Sequence, residues 1–340
     1  DELGRGGFAR VYRSQRVGES GFTKMVAIKV LYGEFAHMTQ VVQRLRDEAR
    51  LLALLRHRAI VCADDLIRLG TRWAIVMEYI EGADLEQLLE RGALLPRTAC
   101  EIVREVAQAL AVAHEAADPI DQRPLLIVHR DIKPANVRIT PKGEVKILDF
   151  GVARAQFDQR EAHTTSLGFG SAGFLAPERF DGIDTPAADV YSLGAMFYQC
   201  LAGKSLPQLS VKPDKHKATL SKHLEQLAAP QSLLVLMGSM LSYDKEERPT
   251  AAEVARQLRE LLYTLQGPWL NEWAEEAIAW YNAHAPAPHA QDVVSADVDS
   301  LALEPKQVSV TDDEPSAEAE ASDEPSPAMP PQSTATSPLK

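Results

Sequence analysis

The chain places five side chains with chemical potential inside eight consecutive positions, between two apolar runs. The segment reads IVHRDIKPANVRI over residues 127–139, and the five are His129, Arg130, Asp131, Lys133 and Asn136. A carboxylate here can act as a general base toward a hydroxyl, an ammonium group can neutralise an anion, and an amide oxygen can bind a hard cation. The segment is therefore either a catalytic loop between two buried strands or an ordinary polar turn.

The sequence that follows predicts a β-hairpin and its register. Two short strand-like runs flank residues 141–143, Pro-Lys-Gly, which favour a turn. With those three residues as the loop, Thr140 pairs with Glu144 and Asn136 falls opposite Leu148. The hairpin therefore brings the end of its second strand back to the polar segment.

The open end of this hairpin predicts a metal site. Asp149 follows Leu148 directly, so its carboxylate is expected beside the Asn136 amide, although the two are thirteen residues apart. Oxygen ligands of this kind suit Mg²⁺ bound together with phosphate oxygens. Asp131 lies five residues before Asn136, where it can stand near the metal without ligating it and serve as a general base.

A glycine-rich stretch near the N-terminus predicts a phosphate-binding loop. Residues 4–11, GRGGFARV, fit the spacing G-x-G-x-x-x-x-V, and glycines let backbone N–H groups approach phosphates closely. Glycine-rich turns are common. This one is unlike a Walker loop because no Gly-Lys-Ser/Thr follows, and unlike a dinucleotide fingerprint because a strand and then Lys29 follow it instead of a helix. A strand lysine that faces inward needs an anion, and both a phosphate and Glu48 are candidates.

The elements that must position these groups are mainly strands in the first eighty residues and helices thereafter. Strand-type runs at residues 26–30 and 73–77 enclose a predicted helix at 41–57. Glu48 falls on the apolar stripe of that helix, so it either reaches solvent at the edge of the stripe or faces inward toward a partner. Further helices are predicted at residues 97–115, 190–201, 250–265 and 266–284.

The C-terminal part has a different composition from the rest of the chain. Of the net charge of −12, residues 286–340 carry −9, from eleven acidic residues against two lysines. This stretch also holds nine of the 21 prolines, so it is predicted to be disordered. The acidic balance argues against nucleic-acid binding, which needs a basic patch. The helix before it has three tryptophans, expected to pack on the globule, with a partner surface as the alternative: Trp269, Trp273 and Trp280.

The cysteines and the apolar runs indicate the cellular setting. Cys62, Cys100 and Cys200 are widely spaced and odd in number, which fits neither a metal-ligand pattern nor a disulfide framework. We therefore expect a reducing, cytoplasmic location. The longest weakly charged apolar run, residues 190–203, is too short to span a bilayer. The first strand is expected to start at or just before Asp1, which leaves open a truncated N-terminal region.

Five motifs in a fixed order resemble the eukaryotic-type (Hanks-type) serine/threonine protein kinase family, in a style similar to its bacterial members. They are the glycine-rich loop, Val26-Ala27-Ile28-Lys29, the segment His129–Asn136, Asp149-Phe150-Gly151 and Ala176-Pro177-Glu178. The resemblance covers roughly residues 1–265. It implies an α+β, bilobal fold with a small β-rich N-lobe (1–79) and a larger helical C-lobe (80–265). A tryptophan-rich helical extension (266–285) and the acidic tail (286–340) would follow.

The resemblance implies that ATP lies between the lobes. The residues that would contact it are Gly4, Gly6, Val11, Ala27, Lys29, Met77, Glu78, Ile80 and Asp84. Among them, Lys29 would hold the α- and β-phosphates and pair with Glu48, which favours the inward orientation of that glutamate. Met77 would be the gatekeeper, residues 78–80 would bind adenine through their backbone, and Asp84 would reach the ribose.

The resemblance also assigns the catalytic groups. Asp131 would be the base that orients the substrate hydroxyl, a function typically worth about 10²–10⁴-fold in rate. Lys133 would neutralise charge on the transferring phosphoryl group, and Asn136 and Asp149 would hold Mg²⁺. Two structural contacts are implied as well, a buried ion pair and a brace for the catalytic-loop backbone, made by Glu178 with Arg248 and by Asp189.

The substrate class and the regulation follow from the same resemblance. Lys133 and the loop at residues 170–175 are similar to those of serine/threonine kinases, so a protein serine or threonine is the expected acceptor. Arg130 precedes the catalytic aspartate, which in this family often marks kinases activated by phosphorylation. Thr164 or Thr165 is expected to be autophosphorylated and to pair with Arg130, unless these and Ser166 are plain polar loop residues.

The chain departs from the family pattern at three positions, and two other readings stay open beside the kinase reading. Ala9 stands at the usual third glycine, Ser171 replaces a usual threonine, and Phe174 replaces a usual tyrosine. One alternative is a pseudokinase-like scaffold that binds nucleotide and partners without transfer. Another is a small-molecule kinase of related fold, but such enzymes usually lack the Ala-Pro-Glu segment.

Overall fold

The computed structural model describes residues 1–149 and 172–284. The N-terminal part is an antiparallel five-stranded sheet with the strand order β1-β2-β3-β5-β4. Both predicted strand runs fall inside this sheet, in β3 and β5. The strands are β1 (Glu2–Arg5), β2 (Ala9–Val17), β3 (Thr23–Leu31), β4 (Ala63–Leu69) and β5 (Arg72–Glu78).

Helix α1, Thr39–Leu54, packs on β4 and β5. Its N-cap is Met38, which makes no side-chain cap bond, so the helix relies on burial of one stripe rather than on end capping. Glu48 belongs to this stripe, together with Val41, Leu45, Ala49 and Leu52. The predicted helix at residues 41–57 is confirmed with its end three residues earlier.

The C-terminal part is helical and is built around α3 and α4. The helices are α2 (Leu85–Leu88), α3 (Pro96–His114), α4 (Pro186–Ala202), α5 (Pro213–Leu224), α6 (Gln231–Met240), α7 (Ala251–Leu262) and α8 (Leu270–His284). Helix α4 is apolar and buried on nearly all sides, as expected of a helix at the centre of a domain. Helix α3 packs against both α4 and α7.

A small three-stranded sheet lies beside these helices, with the order β6-β7-β8. Its strands are β6 (Ala83–Asp84), β7 (Val137–Ile139) and β8 (Val145–Ile147). A β-rich N-terminal part and a helical C-terminal part give the α+β, bilobal architecture that the motifs imply. The lobe boundary near residue 79 and the other domain limits stay predictions.

The start of α7 is capped by Thr250, which follows Arg248 and Pro249 in the sequence. Thr250 is the N-cap, its hydroxyl accepts a hydrogen bond from the Glu253 amide at 3.2 Å, and the Glu253 carboxylate accepts one from the Thr250 amide at 2.8 Å. This reciprocal capping box satisfies two backbone donors that a helix start leaves unpaired.

Helix α8 packs on the C-terminal part, but not mainly through its tryptophans. Its buried residues are Leu270, Ala274, Ala277 and Ile278, and it contacts α2 and α3. Trp273 and Trp280 are only partly buried, and Trp269, just before the helix, is 41% exposed with the Arg97 guanidinium 4.6 Å from its ring centroid. Aliphatic side chains therefore form most of the buried face, and Trp273 packs against the core while only partly buried.

The acidic segment at 286–340 lies outside the described residues, so its disorder stays a prediction. Within residues 1–149 and 172–284, no helix combines the length and the apolar character that a membrane span requires.

Candidate active site

Lys29 and Glu48 meet in the interior between β3 and α1. The Lys29 Nζ atom lies 2.8 Å from Glu48 Oε1, and the Glu48 side chain is only 2% exposed. Glu48 therefore faces inward, which decides between the two orientations that its helix stripe left open. Lys29 Nζ also lies 2.7 Å from Asp149 Oδ1. Burial lowers the pKa of Lys29, but the Asp149 and Glu48 carboxylates outweigh it and raise the pKa above its ordinary value, so the lysine is charged at neutral pH.

The backbone of the predicted catalytic loop is held by Asp189 of α4. Its carboxylate accepts hydrogen bonds from the amides of His129 at 2.7 Å and Arg130 at 2.9 Å. Arg130 has φ of 70°, a conformation that costs energy for a non-glycine residue and needs such support. Burial opposes ionisation of Asp189, but a hydrogen bond from His114 and the charge of Arg179 together lower its pKa to about 2.

His129 connects this loop to the end of the hairpin through its ring. Its Nε2 lies 3.1 Å from the Leu148 carbonyl oxygen, and its Nδ1 accepts from the Asp131 amide at 3.3 Å. Nε2 therefore carries the proton and the ring is neutral. Complete burial lowers the pKa of His129, which favours this neutral form.

The Asp131 carboxylate lies between two donors from its own loop. Lys133 Nζ is 3.1 Å from Asp131 Oδ2, and Asn136 Nδ2 donates to the same oxygen at 2.8 Å. The Asn136 amide group also donates to the Asp131 carbonyl oxygen at 2.7 Å. The loop thus brings together a carboxylate, an ammonium group and an amide, and fixes the orientation of the carboxylate.

The hairpin has the register that the turn sequence predicts. The Thr140 amide donates to the Glu144 carbonyl at 3.0 Å, and the Leu148 amide donates to the Asn136 carbonyl at 2.8 Å. Asp149 follows with φ of 50°, and its side chain is 49% exposed. Asn136 and Asp149 consequently lie at the same end of the hairpin, as the sequence predicts.

The chemistry of these two residues fits Mg²⁺. Both hydrogens of the Asn136 amide point at Asp131, so its oxygen is the atom that can bind a metal. In the part of the chain that the structure describes, no group of three or more His, Cys, Asp or Glu side chains could hold a metal ion by itself. A two-ligand site would therefore complete its shell with phosphate oxygens and water, which is how Mg²⁺ usually binds beside nucleotides.

A cleft of about 270 Å³ opens between the five-stranded sheet and the hairpin. Eight of the nine residues predicted to contact ATP line this cleft. The exception is Lys29, whose side chain contacts a lining residue, Asp149. The structure adds lining residues that no motif indicated, among them Leu3, Val61, Arg138 and Leu148. The cationic Arg138, placed between the apolar Val137 and Ile139, was a signal in the sequence that could have found one of them.

Comparison with known proteins decides the family. The family described as "Protein kinase domain" matches residues 1–258. The chain belongs to the protein kinase family. It is 37% identical over 211 residues to the serine/threonine-protein kinase PknA of Mycobacterium tuberculosis, a match that covers 59% of this chain and 46% of PknA. It is 39% identical over 206 residues to the probable serine/threonine-protein kinase SCO3848 of Streptomyces coelicolor, covering 58% and 29%. The kinase chain therefore spans less than half the length of these two relatives.

A solved structure agrees with the kinase fold. The crystal structure of Rad53 1-466 in complex with AMP-PNP superposes with a TM-score of 0.56 at 24% identity, over 76% of this chain and 63% of that one. At this identity, the likeness extends to the fold alone. The family match ends inside α7, so the kinase adds α8 beyond it.

One further predicted contact is present, the ion pair between Arg248 and Glu178, and the structure adds a contact at Phe174. Arg248 binds Glu178 through both guanidinium nitrogens, at 2.7 and 2.8 Å. Phe174 is buried, and its carbonyl accepts from the Ser192 hydroxyl at 2.7 Å, so this residue helps to anchor the end of the loop before Ala176.

Arg130, the predicted partner of a phosphothreonine, bonds to Asp184 in this structure, with 3.0 Å between Nε and Oδ2. The motif residues Phe150 and Gly151 lie outside the described range. So do the residues predicted for phosphorylation and for substrate docking: Thr164, Thr165, Ser166 and Ser171.

Proposed function

We propose that the chain is an ATP-dependent protein kinase that transfers the γ-phosphoryl group of ATP to serine or threonine hydroxyls of proteins, with Mg²⁺. The observation that carries this proposal is the cluster of Asp131, Lys133 and Asn136, next to the contact between Lys29 and Asp149. The names of the curated relatives, serine/threonine-protein kinases, support the acceptor class.

The cleft suits a nucleotide in shape and in polarity. Apolar side chains in its lining, such as Val11, Ala27 and Met77, would contact the base, and the backbone at residues 78–80 would hydrogen-bond it. Asn136 and Asp149, the residues that would hold Mg²⁺, also line the cleft. ATP bound there would supply the phosphoryl group, with Mg²⁺ neutralising charge on its phosphate oxygens.

The chain's own residues would position the acceptor hydroxyl and neutralise the negative charge of the phosphates. Asp131 would orient the acceptor hydroxyl and take up its proton, because its carboxylate is held in place by Asn136 and would stand beside the metal without ligating it. Lys133 would place a positive charge beside the transferring group and Lys29 beside the α- and β-phosphates, and both charges would stabilise the negative charge that develops during transfer. Most of the catalysis would come from preorganisation, since the cluster exists before any substrate binds.

We also propose a cytoplasmic location. Cys62, Cys100 and Cys200 are free thiols, and ATP is the proposed phosphoryl donor. Free thiols persist in reducing compartments, where ATP is also available.

Transfer of radiolabelled phosphate from ATP to a generic protein substrate tests the proposal. Asp131→Asn is expected to reduce the rate by at least about 100-fold. The matched control is Asp214→Asn on the exposed first turn of α5, which is expected to transfer like the wild type. Label is expected on serine or threonine and not on tyrosine.

Three outcomes would contradict the proposal in different ways. Equal transfer by the wild type and Asp131→Asn would remove Asp131 from the mechanism. No transfer by either protein, with nucleotide still bound, would favour a pseudokinase-like scaffold. Transfer to small molecules alone would favour a kinase of related fold with another substrate class.

A further inference from the structure

Two cations lie side by side on the hairpin that carries Asn136 and Asp149. Arg138 of β7 and Lys146 of β8 are paired in register, and their side chains are 21% and 14% exposed. Like charges directly opposite each other destabilise a strand pair, and partial burial adds a desolvation cost. The arrangement is therefore unfavourable unless anions compensate both cations.

Lys146 finds its anion at the end of β5. Its Nζ atom lies 2.8 and 2.9 Å from the two carboxylate oxygens of Glu78. The Glu78 carboxylate also accepts from the Cys62 amide at 2.9 Å, and the Glu78 amide donates to the Cys62 carbonyl at 3.1 Å. One glutamate thus ties together β8, the end of β5 and the residue before β4.

Arg138 binds the next part of the same segment. Its guanidinium donates to the carbonyls of Ile80 at 2.9 Å and Gly82 at 2.6 Å, and to Asp84 Oδ1 at 2.7 Å. Gly82 lies so close to β7 that an added Cβ would be 2.0 Å from the Ile139 carbonyl oxygen. Residues 78–84 therefore lie directly on the hairpin and are held at four points.

We infer that Arg138 and Lys146 form a hinge clamp, defined as these two side chains with the partners they bind in residues 78–84. They act as positioning residues: they fix the segment that lines the nucleotide cleft relative to Asn136 and Asp149. Asn136 precedes the first strand of the same hairpin and Asp149 follows its second strand. The inference rests on the proposed function for its effect on nucleotide binding. Lys146 itself does not line the cleft, so its effect must pass through Glu78.

The test compares Lys146→Met and Arg138→Met with the wild type in two measurements. The first is calorimetric titration with Mg-ATP together with steady-state kinetics. Loss of one partly buried charge-assisted contact is expected to raise the dissociation constant and KM about three- to tenfold, with kcat changed much less. The second is hydrogen exchange without nucleotide, in which the amides of residues 78–84 are expected to exchange several-fold faster while α3 and α4 do not change.

Matched controls and a rescue separate the clamp from a general loss of stability. Lys24→Met removes an ion pair of similar length, 2.7 Å to Asp64 on the five-stranded sheet, and is expected to affect neither measurement. The double variant Glu78→Lys/Lys146→Glu restores a pair of opposite charges. It is expected to recover part of the protection of residues 78–84 against hydrogen exchange.

The two readouts also distinguish the clamp from the proposed function. Unchanged exchange at residues 78–84, or a uniform increase over the whole chain, would overturn the clamp whether or not nucleotide binds. Faster hinge exchange with an unchanged nucleotide dissociation constant would also overturn it as a determinant of affinity. Absence of Mg-ATP binding in the wild type would contradict the proposed function. The clamp could still be tested by the exchange measurement, which uses no nucleotide.

Discussion

Arg248 and Glu178, which are 70 residues apart in the sequence, form a bidentate ion pair. The arginine side chain is completely shielded from solvent. The guanidinium also donates to three carbonyls, those of Ala187, Ser242 and Tyr243. One side chain therefore joins the turn after Ala176, the start of α4 and the segment that leads into α7.

We predict that Arg248→Met destabilises the protein by about 3–5 kcal/mol, because it leaves the buried Glu178 carboxylate without its cation and removes one donor from each of three carbonyls. Urea denaturation followed by circular dichroism measures the change. The matched control is Arg256→Met, which removes an exposed i,i+4 pair with Glu260 and is expected to cost less than about 1 kcal/mol. If the two variants lose a similar free energy of unfolding, the buried pair contributes no more to stability than the exposed pair.

Lys29 is predicted to have separable roles in folding and in transfer. Lys29→Met leaves Glu48 buried without its cation, so it is expected to lower stability by about 3 kcal/mol as well as to abolish measurable transfer. The double variant Lys29→Met/Glu48→Gln removes the orphaned charge. It is expected to regain most of the stability and none of the activity, as measured by thermal unfolding and by the radiolabel assay. Recovery of transfer in the double variant would contradict the proposed contact of Lys29 with phosphate.

His129 is predicted to make stability depend on pH below about 6.5. Burial lowers its pKa in the folded state, while in the unfolded chain the pKa is about 6.5. As the pH falls below 6.5, the unfolded chain binds a proton that the folded chain does not, so the free energy of unfolding decreases. Asp189 acts in the same direction but only at lower pH, since its pKa is lowered to about 2 from 3.8.

Chemical denaturation of the wild type and His129→Gln at several values between pH 7 and pH 5 tests this assignment. The variant is expected to be less stable at pH 7, because it loses the ring contacts to Leu148 and Asp131, and to show a shallower decline toward pH 5. The comparison is a difference between two proteins, so contributions from other groups cancel. Parallel curves would mean that His129 does not remain neutral in the folded protein.

The parts of the site that are local in sequence could be predicted, and those that join distant segments could not. The turn at residues 141–143 fixes the register that brings Asn136 and Asp149 together, because hairpin pairing follows from loop length. Glu48 is different, since its helix stripe allowed two orientations and only the resemblance favoured the inward one. Its partner Lys29 lies on another element, and the apolar pattern of a helix does not identify partners.

The partners of Arg138 and Lys146 could not be predicted from the sequence either. Each could be recognised as a cation between apolar neighbours, yet their partners lie 54 to 68 residues away. No pairing rule connects such positions before the fold is known. For α8, the tryptophans suggested the packing face, whereas aliphatic side chains form most of it and Trp273 is only partly buried.

Gly143 is predicted to be where α8 constrains the hairpin. It has φ of 78°, and an added Cβ would lie 2.7 Å from Asn271 Cα at the start of α8. Gly70 has φ of 58° with open space around it, so Gly70→Ala isolates the backbone cost of about 1–2 kcal/mol. Gly143→Ala adds a backbone clash and is expected to cost about 1–3 kcal/mol more. Urea denaturation of both variants measures the difference, and equal costs would contradict close docking of α8 on the turn.

The last prediction concerns phosphorylation of Thr164 or Thr165 and its partner Arg130. A phosphothreonine carries between one and two negative charges at pH 7, enough to compete with Asp184 for the Arg130 guanidinium. After incubation with Mg-ATP, mass spectrometry is expected to find phosphate on one of these threonines in the wild type and none in Asp131→Asn.

Arg130→Lys keeps the positive charge but loses the planar, two-point geometry that suits a phosphate. In this variant, the phosphorylated form is expected to gain less activity over the unphosphorylated form than it does in the wild type. The control is Asp184→Asn, which frees Arg130 from its present partner and is expected to preserve that gain. Absence of phosphate from this segment in an active wild-type kinase would show that the threonines are plain loop residues.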